Sequence, residues 1–221
     1  MQGIFGKLLE VSPIVWAIIG IIVILSIIGL IITSKKDQKS PSVLTTKKLV
    51  YGGMCIAIAF ILSYIRLYKM PQGGSITLAS MFPIILYSMV FGPIAGIITG
   101  VAYGLLQLIQ DAWVLNWAQL FLDYPLAFGF LGIAGLAPNF LTNLKIRTYF
   151  AVSIAVLGRG LMHFLSGAVF FADYAPEGQS PILYSLAYNA SYIIPELIIT
   201  LILSTVLITT PIYMTLKKHS I

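Results

Sequence analysis

The sequence predicts an all-α integral membrane protein: a core of six spanning helices preceded by one extra N-terminal transmembrane helix. Three observations carry that prediction. Of 221 residues, 59% are hydrophobic and 9% charged, with a mean hydropathy of +0.98; a soluble domain carries about 25% charged residues. The apolar residues gather into runs close to the ~20 residues that a helix needs to cross ~30 Å of hydrocarbon. Lys and Arg, finally, collect on alternate connections between those runs, which is the asymmetry that orients membrane helices.

Met1 to Pro13 (MQGIFGKLLEVSP) reads as a short amphipathic lead. Ile14 to Thr33 is an aliphatic run apart from Trp16, with no polar residue larger than Ser or Thr in its aliphatic part, and no A-x-A-like cleavage site follows it. Its length suits a spanning helix better than the apolar region of a cleavable signal, so residues 1–34 read as a peripheral anchor. Residues 35–48, basic and rich in Ser and Thr, form a cytoplasmic linker and the clearest boundary in the chain. Residues 49–221 then form the six-helix membrane domain.

Within that domain the second run, Leu49 to Tyr68, places Gly53 and Ala57 four residues apart, and likewise Cys55 and Ala59. Small residues at that spacing let helices approach closely, either within the bundle or at a docking face for a partner. The third run, Ser75 to Phe91, contains Pro83 and is expected to kink near its middle. Gly96, Gly100 and Gly104 give the fourth run, Ile94 to Gln110, a second small-residue stripe. Trp113 and Trp117 flank the next loop, as in an interfacial aromatic belt. The fifth run, Trp117 to Leu136, carries Asp123 and Pro125. The sixth runs from Thr148 to Ala172, and the seventh from Ile182 to Met214 with a kink expected at Pro195.

Seven spans place Lys35, Lys36, Lys39, Lys47, Lys48, Lys145, Arg147, Lys217 and Lys218 on one side and only Lys7, Arg66 and Lys69 on the other. The basic side is cytoplasmic. The N-terminus is then outside and the C-terminus inside. This placement also accounts for the net charge of +6 without nucleic acid. The single Cys55 excludes a disulfide framework. No G-x-x-x-x-G-K-[ST] loop is present for ATP hydrolysis and no H-E-x-x-H pair for a metal. No internal repeat relates two halves of the core, as inverted-repeat transporters would show. The reading is not an enzyme, with no cofactor and no metal.

The polar residues inside the spans point to a site. Arg159, His163 and Ser166 share one helical face, and a polar loop (Asp173 to Ser180) leads to Tyr184, Tyr188 and Asn189 on the last run. At ~1.5 Å per residue, Asp123 lies roughly 9 Å below the outer surface, His163 roughly 8 Å and Asn189 roughly 10 Å. Three polar side chains from three helices thus meet at one depth, in hydrocarbon that offers them no partners. Phe170, Phe171, Tyr174, Tyr184 and Tyr188 at the same level could stack on a flat or cationic ligand. Arg159 lies near the midplane, and Glu196 is the only other deep carboxylate, so the two are expected to form a structural ion pair.

Three stretches carry a family resemblance: GGSITLASMFPIILYSMVFGPIAGIITGVAYGLLQLIQD, LFLDYPLAFGFLGIAGL and HFLSGAVFFADYAPEGQSPILYSLAYN. They resemble the thiamine-specific substrate-binding subunit (S component) of energy-coupling factor vitamin transporters, over roughly Leu49 to Lys218. The resemblance implies a six-helix protein that captures thiamine with high affinity near the outer face. A separate transmembrane coupling subunit and two ATPase subunits would energise it. It implies ligand-binding roles for Asp123, His163, Phe171, Tyr184 and Asn189, with Phe171 standing where the family usually has Trp and Asp123 where it often has Glu. Tyr68 is the candidate for a family Trp in the first core loop, and Gly53 and Ala57 lie on the face used to dock the coupling subunit. The run Ile14 to Thr33 is outside the family pattern. Alternatives are an S component for riboflavin, biotin or hydroxymethylpyrimidine, a membrane scaffold whose polar groups only hold helices together, and a proton-coupled carrier using Asp123 and His163 as a relay.

Overall fold

A computed structural model describes residues 45–138 and 140–211. The first apolar run, the basic residues 35–39 and Lys217 and Lys218 lie outside the described residues. Those described form six helices and one short β-hairpin: α1 (Thr46–Tyr64), β1 (Arg66–Lys69), β2 (Ser75–Thr77), α2 (Phe82–Phe91), α3 (Pro93–Asp111), α4 (Trp117–Leu136), α5 (Leu144–Phe170) and α6 (Pro181–Ile208). Five of them, all but α2, are long and apolar enough to cross a membrane.

Polar side chains set several of the starts. The Thr45 hydroxyl accepts from the Lys48 amide at the head of α1. The Asn116 side chain accepts from the Gln119 amide at the head of α4, and Asn143 from the Lys145 and Ile146 amides at the head of α5. Each satisfies an amide that the first helical turn leaves without an intrahelical acceptor. The Asn143 cap is also why α5 starts at Leu144 rather than at Thr148: the cap draws the charged Lys145 and Arg147 into the helix.

The second and third runs differ from the expectation. The second is helical only to Tyr64, and Arg66 to Lys69 turn into a strand paired antiparallel with Ser75 to Thr77. Met70 to Gly74 close the hairpin, with Gly73 and Gly74 both at φ +86°, in the left-handed region that favours glycine. The third run is therefore not one kinked span. It is strand, then a turn through Ala79 at φ +54°, then the ten-residue α2. Pro83 lies in the first turn of α2, where its missing N–H costs no hydrogen bond, so it starts the helix rather than bending it.

α2 packs on α1, α3 and α4, while α5 packs along α6 and against α4. Met81, Ile84, Ile85, Tyr103, Leu131, Val152 and Val156 form the centre of the core. The glycine stripe of α3 is used inside the bundle: a Cβ at Gly100 would overlap the Phe128 carbonyl and one at Gly104 the Tyr124 carbonyl, so α3 and α4 touch backbone to backbone. Outward-facing Ile61, Leu157, Ile202 and Val206 are exposed, an apolar perimeter suited to lipid. α6 runs unbroken through Pro195. α4 changes pitch at its own proline, with a π-helical turn over Leu122–Leu126 that contains Pro125. Such a turn inserts a residue into the helical register and is often found at functional sites; here it carries Asp123.

Candidate functional site

Asp123, on the π-turn of α4, is the acceptor around which the site is built. Its Oδ1 lies 3.0 Å from His163 Nδ1. Its Oδ2 accepts from Ser166 Oγ at 2.9 Å and from Gln119 Nε2 at 2.6 Å. His163 and Ser166 lie three residues apart on α5, so one helical face supplies both donors. Asp123 and His163 are only 14% and 11% exposed, so the contact is a partly dehydrated one. The carboxylate selects the tautomer with the proton on Nδ1, which leaves Nε2 as an acceptor; Nε2 is buried and has no hydrogen-bond partner among the described residues.

Gln119 locks this arrangement. Buried to 1% exposure, it donates from Nε2 both to Asp123 and to the Trp113 carbonyl, and its Oε1 accepts from the Leu115 amide at 2.9 Å. The Tyr124 hydroxyl accepts from the Trp113 amide at 2.8 Å. The loop before α4 is thereby fixed against the helix that carries the acid.

On α6, Asn189 Nδ2 donates to the Ser185 carbonyl at 2.8 Å and to the His163 carbonyl at 3.3 Å, and its Oδ1 accepts from Tyr192 at 2.7 Å. Gly167 on α5 makes that approach possible, because a Cβ there would overlap Ser185 Oγ. Tyr188, next to Asn189, and Tyr184, one turn nearer the start of α6, reach the hairpin tip. Tyr188 donates to the Gly73 carbonyl at 3.0 Å and accepts from the Gln72 amide at 2.8 Å, while Tyr184 donates to Gln72 Oε1 at 3.1 Å. Gly74 lies so close to the Tyr192 ring that a Cβ would stand 2.9 Å from it. The hairpin is laid over the end of the bundle and held to α6.

These groups enclose a cavity of about 120 Å³. A water needs roughly 10–15 Å³ of such space, so the cavity fits a small organic molecule rather than one or two ordered waters. Asp123, His163, Phe171, Tyr184 and Asn189 all line it, together with Trp113, Phe128 and Arg159. Phe171 and Tyr174, with ring centroids 5.7 Å apart, form an aromatic edge. At the mouth, Arg66 and Lys69 from the hairpin pair with Asp111 at the end of α3.

Two expectations need correction. Tyr68 does not line the cavity: it lies on β1 and is 57% exposed, because the chain has left the helix by that point. Trp113, in the loop before α4, lines the cavity instead. Nor do Arg159 and Glu196 form a direct ion pair. Arg159 places its guanidinium 4.7 Å above the Phe128 ring and donates from Nη1 to Met81 Sδ at 3.0 Å. Glu196 Oε1 accepts instead from the backbone amide and the hydroxyl of Thr77, the latter at 2.7 Å. β2 brings Thr77 onto α6 at that level, and nothing in the sequence marks that contact. Gln119 and Gln72 were also missed, since single Gln residues at a helix start and in a turn give no periodic signal. Gly53 and Ala57 are exposed on α1, with no described atom within 4 Å of where a Gly53 Cβ would lie. Among the described residues, no group of three or more His, Cys, Asp or Glu could hold a metal ion.

Comparison with known proteins agrees with this architecture. A family model described as "Thiamine transporter protein" matches residues 49–216. The thiamine transporter ThiT of Bacillus subtilis (strain 168) is 37% identical over 175 residues, covering 74% of this chain and 91% of that protein. The thiamine transporter ThiT of Lacticaseibacillus paracasei is 31% identical over 142 residues, covering 58% and 71%. A solved structure of ThiT from Listeria monocytogenes superposes with a TM-score of 0.65 at 27% identity, over 75% of this chain and 96% of that one.

Proposed function

This chain belongs to the thiamine transporter family, and from that premise we propose that its cavity captures thiamine from outside the cell. The observation that carries the reading is Asp123: a partly dehydrated carboxylate, held by three donors, facing a cavity edged with aromatic rings. Thiamine offers what such a site would recognise, an aminopyrimidine with an exocyclic amine and a permanently cationic thiazolium ring. Asp123 and Tyr184 would hydrogen-bond the aminopyrimidine, and the free His163 Nε2 would accept from its amine. Phe171 would stack on the ring. Asn189, whose amide is already engaged by Ser185 and Tyr192, would meet the thiazolium end as a fixed wall.

The remaining parts of the reading rest on the distribution of basic residues, for orientation, and on the resemblance to the S components of energy-coupling factor transporters, for energisation and docking. The N-terminus would lie outside and the C-terminus inside, which puts the hairpin and the cavity mouth on the outer side. Energy would come from a separate coupling subunit and two ATPases, with the exposed Gly53 and Ala57 of α1 as the docking face. A scaffold reading has less to recommend it, because a protein that only holds helices together has no use for a cavity of this size.

Intrinsic fluorescence of the detergent-purified chain, titrated with thiamine, tests the binding reading. Trp113 lines the cavity and Trp117 opens α4. Saturable quenching, absent in Asp123→Ala, is the expected result. A response to riboflavin or hydroxymethylpyrimidine without one to thiamine would keep the site and replace the ligand.

A further inference from the structure

We propose that Arg159 and Glu196, though not in contact, act together to set the net charge of the binding cavity, so that it accepts a cation in preference to an uncharged molecule of the same shape. The inference rests on the thiamine reading and adds to it a pair of residues that govern discrimination by charge.

Three ionisable groups besides His163 are largely withdrawn from solvent around the cavity. Asp123 and Arg159 line it; Glu196 lies one turn beyond Tyr192 on α6 and is 1% exposed. Arg159 is 8% exposed, and its charge is incompletely answered: a thioether accepts from Nη1, an aromatic face lies under it, and Nε has no hydrogen-bond partner among the described residues. A guanidinium in this state would repel a cationic ligand across a medium that screens poorly. Glu196 supplies the opposing charge. Both groups on its Oε1, the amide and hydroxyl of Thr77, are donors, while its buried Oε2 has no hydrogen-bond partner among the described residues, so its charge is as incompletely answered as that of Arg159. Arg159 donates to Met81 while Glu196 accepts from Thr77, whose hydroxyl in turn bonds Ser80, so both groups reach the one turn between β2 and α2 without being bonded to each other. With Arg159 offset in this way, Asp123 carries the remaining charge among the described groups withdrawn from solvent at the cavity, and a monocation completes the balance. Arg66, Lys69 and Asp111 at the mouth stand apart from this balance: their side chains are 25%, 57% and 41% exposed, and water and salt screen them.

Glu196 has a second task that a test must separate from the first, since it also holds β2 through Thr77. Glu196→Gln keeps a carbonyl oxygen to accept from Thr77 while removing the charge. Thr77→Val removes the hydroxyl and leaves the charge. The experiment measures, on the full chain in detergent, the affinities for thiamine and for its uncharged isostere in which carbon replaces the thiazolium nitrogen. The wild type should prefer thiamine. In Glu196→Gln that preference should narrow by about ten-fold or more, through weaker thiamine binding with the isostere little changed. In Thr77→Val both affinities should fall together and leave the ratio as it was. Should Glu196→Gln fail to fold, Arg159→Met tests the same assignment from the other side, and its ratio should widen.

A ratio within about three-fold of wild type in Glu196→Gln, or an unchanged ratio in Arg159→Met where that variant has to stand in, would overturn the assignment while leaving thiamine as the ligand. A wild-type chain that binds neither compound would instead refute the thiamine reading, and this inference with it.

Discussion

Asp123→Asn is the most informative single perturbation, because it removes a charge and one acceptor while preserving volume. In the wild type, His163 Nδ1, Ser166 Oγ and Gln119 Nε2 all donate to this carboxylate, at 3.0, 2.9 and 2.6 Å. An amide offers them one oxygen instead of two and turns its other terminus into a donor, so at least one buried donor is left without a partner. That costs about 1–3 kcal/mol of folding stability. For binding, a thiazolium ~7 Å from the lost charge forfeits ~2.4 kcal/mol at an effective dielectric of ~20. A charge-assisted hydrogen bond to the aminopyrimidine is worth about 1.5–3 kcal/mol more. At about 1.4 kcal/mol per decade, and allowing for overlap between the two effects, thiamine affinity should fall by roughly 10² to 10³-fold. Isothermal titration calorimetry on the folded variant, with thermal unfolding as a check on integrity, reads both quantities. A variant that unfolds a few degrees lower yet binds thiamine within about three-fold of wild type would refute the placing of Asp123 at the ligand.

Other expectations follow from the same geometry. Tyr68→Ala should leave thiamine affinity unchanged within about two-fold, since the side chain is exposed and outside the cavity; fluorescence titration decides it, and a large loss would return Tyr68 to the site. Tyr188→Phe removes the hydroxyl that both accepts from Gln72 and donates to Gly73, and should weaken binding by about five- to thirty-fold at roughly 1–2 kcal/mol. Gly100→Ala forces a methyl group against the Phe128 carbonyl, so α3 and α4 must separate. A loss of about 1–3 kcal/mol of stability is expected, visible as a lower melting temperature or poor yield, whereas Gly53→Ala on the open face of α1 should melt like wild type.

What the sequence revealed, it revealed through helices acting as rulers. Asp123, His163 and Asn189 could be placed at one depth because each residue of a helix advances by a fixed ~1.5 Å, and the structure brings the three within hydrogen-bonding reach of one another's groups. The same ruler failed where the chain was not helical. Leu49 to Tyr68 reads as one apolar run, yet its last residues form a strand, and the error carried Tyr68 into the site. Two glycines in KMPQGG marked a turn but not the hairpin it closes. Arg159 and Glu196 were rightly found to be deep and wrongly joined, because depth says nothing about the Thr77 amide that arrives from a distant stretch of chain. Gln119, which fixes the acid, has no signature at all: its importance lies in three side-chain hydrogen bonds that form only in the folded protein.

The ten residues of α2 span ~15 Å, about half of a bilayer's hydrocarbon, and nearly every side chain of its first two turns is buried against protein. Such a segment has no stable place in lipid by itself, because the backbone on either side of it would meet hydrocarbon without hydrogen-bond partners. During biosynthesis it cannot be released into the membrane as an independent span, as α5 or α6 could be. It has to be retained until α3 has followed it through the Gly92–Pro93 turn and α4 has arrived to cover it. The first half of this domain should therefore insert as a single cooperative unit.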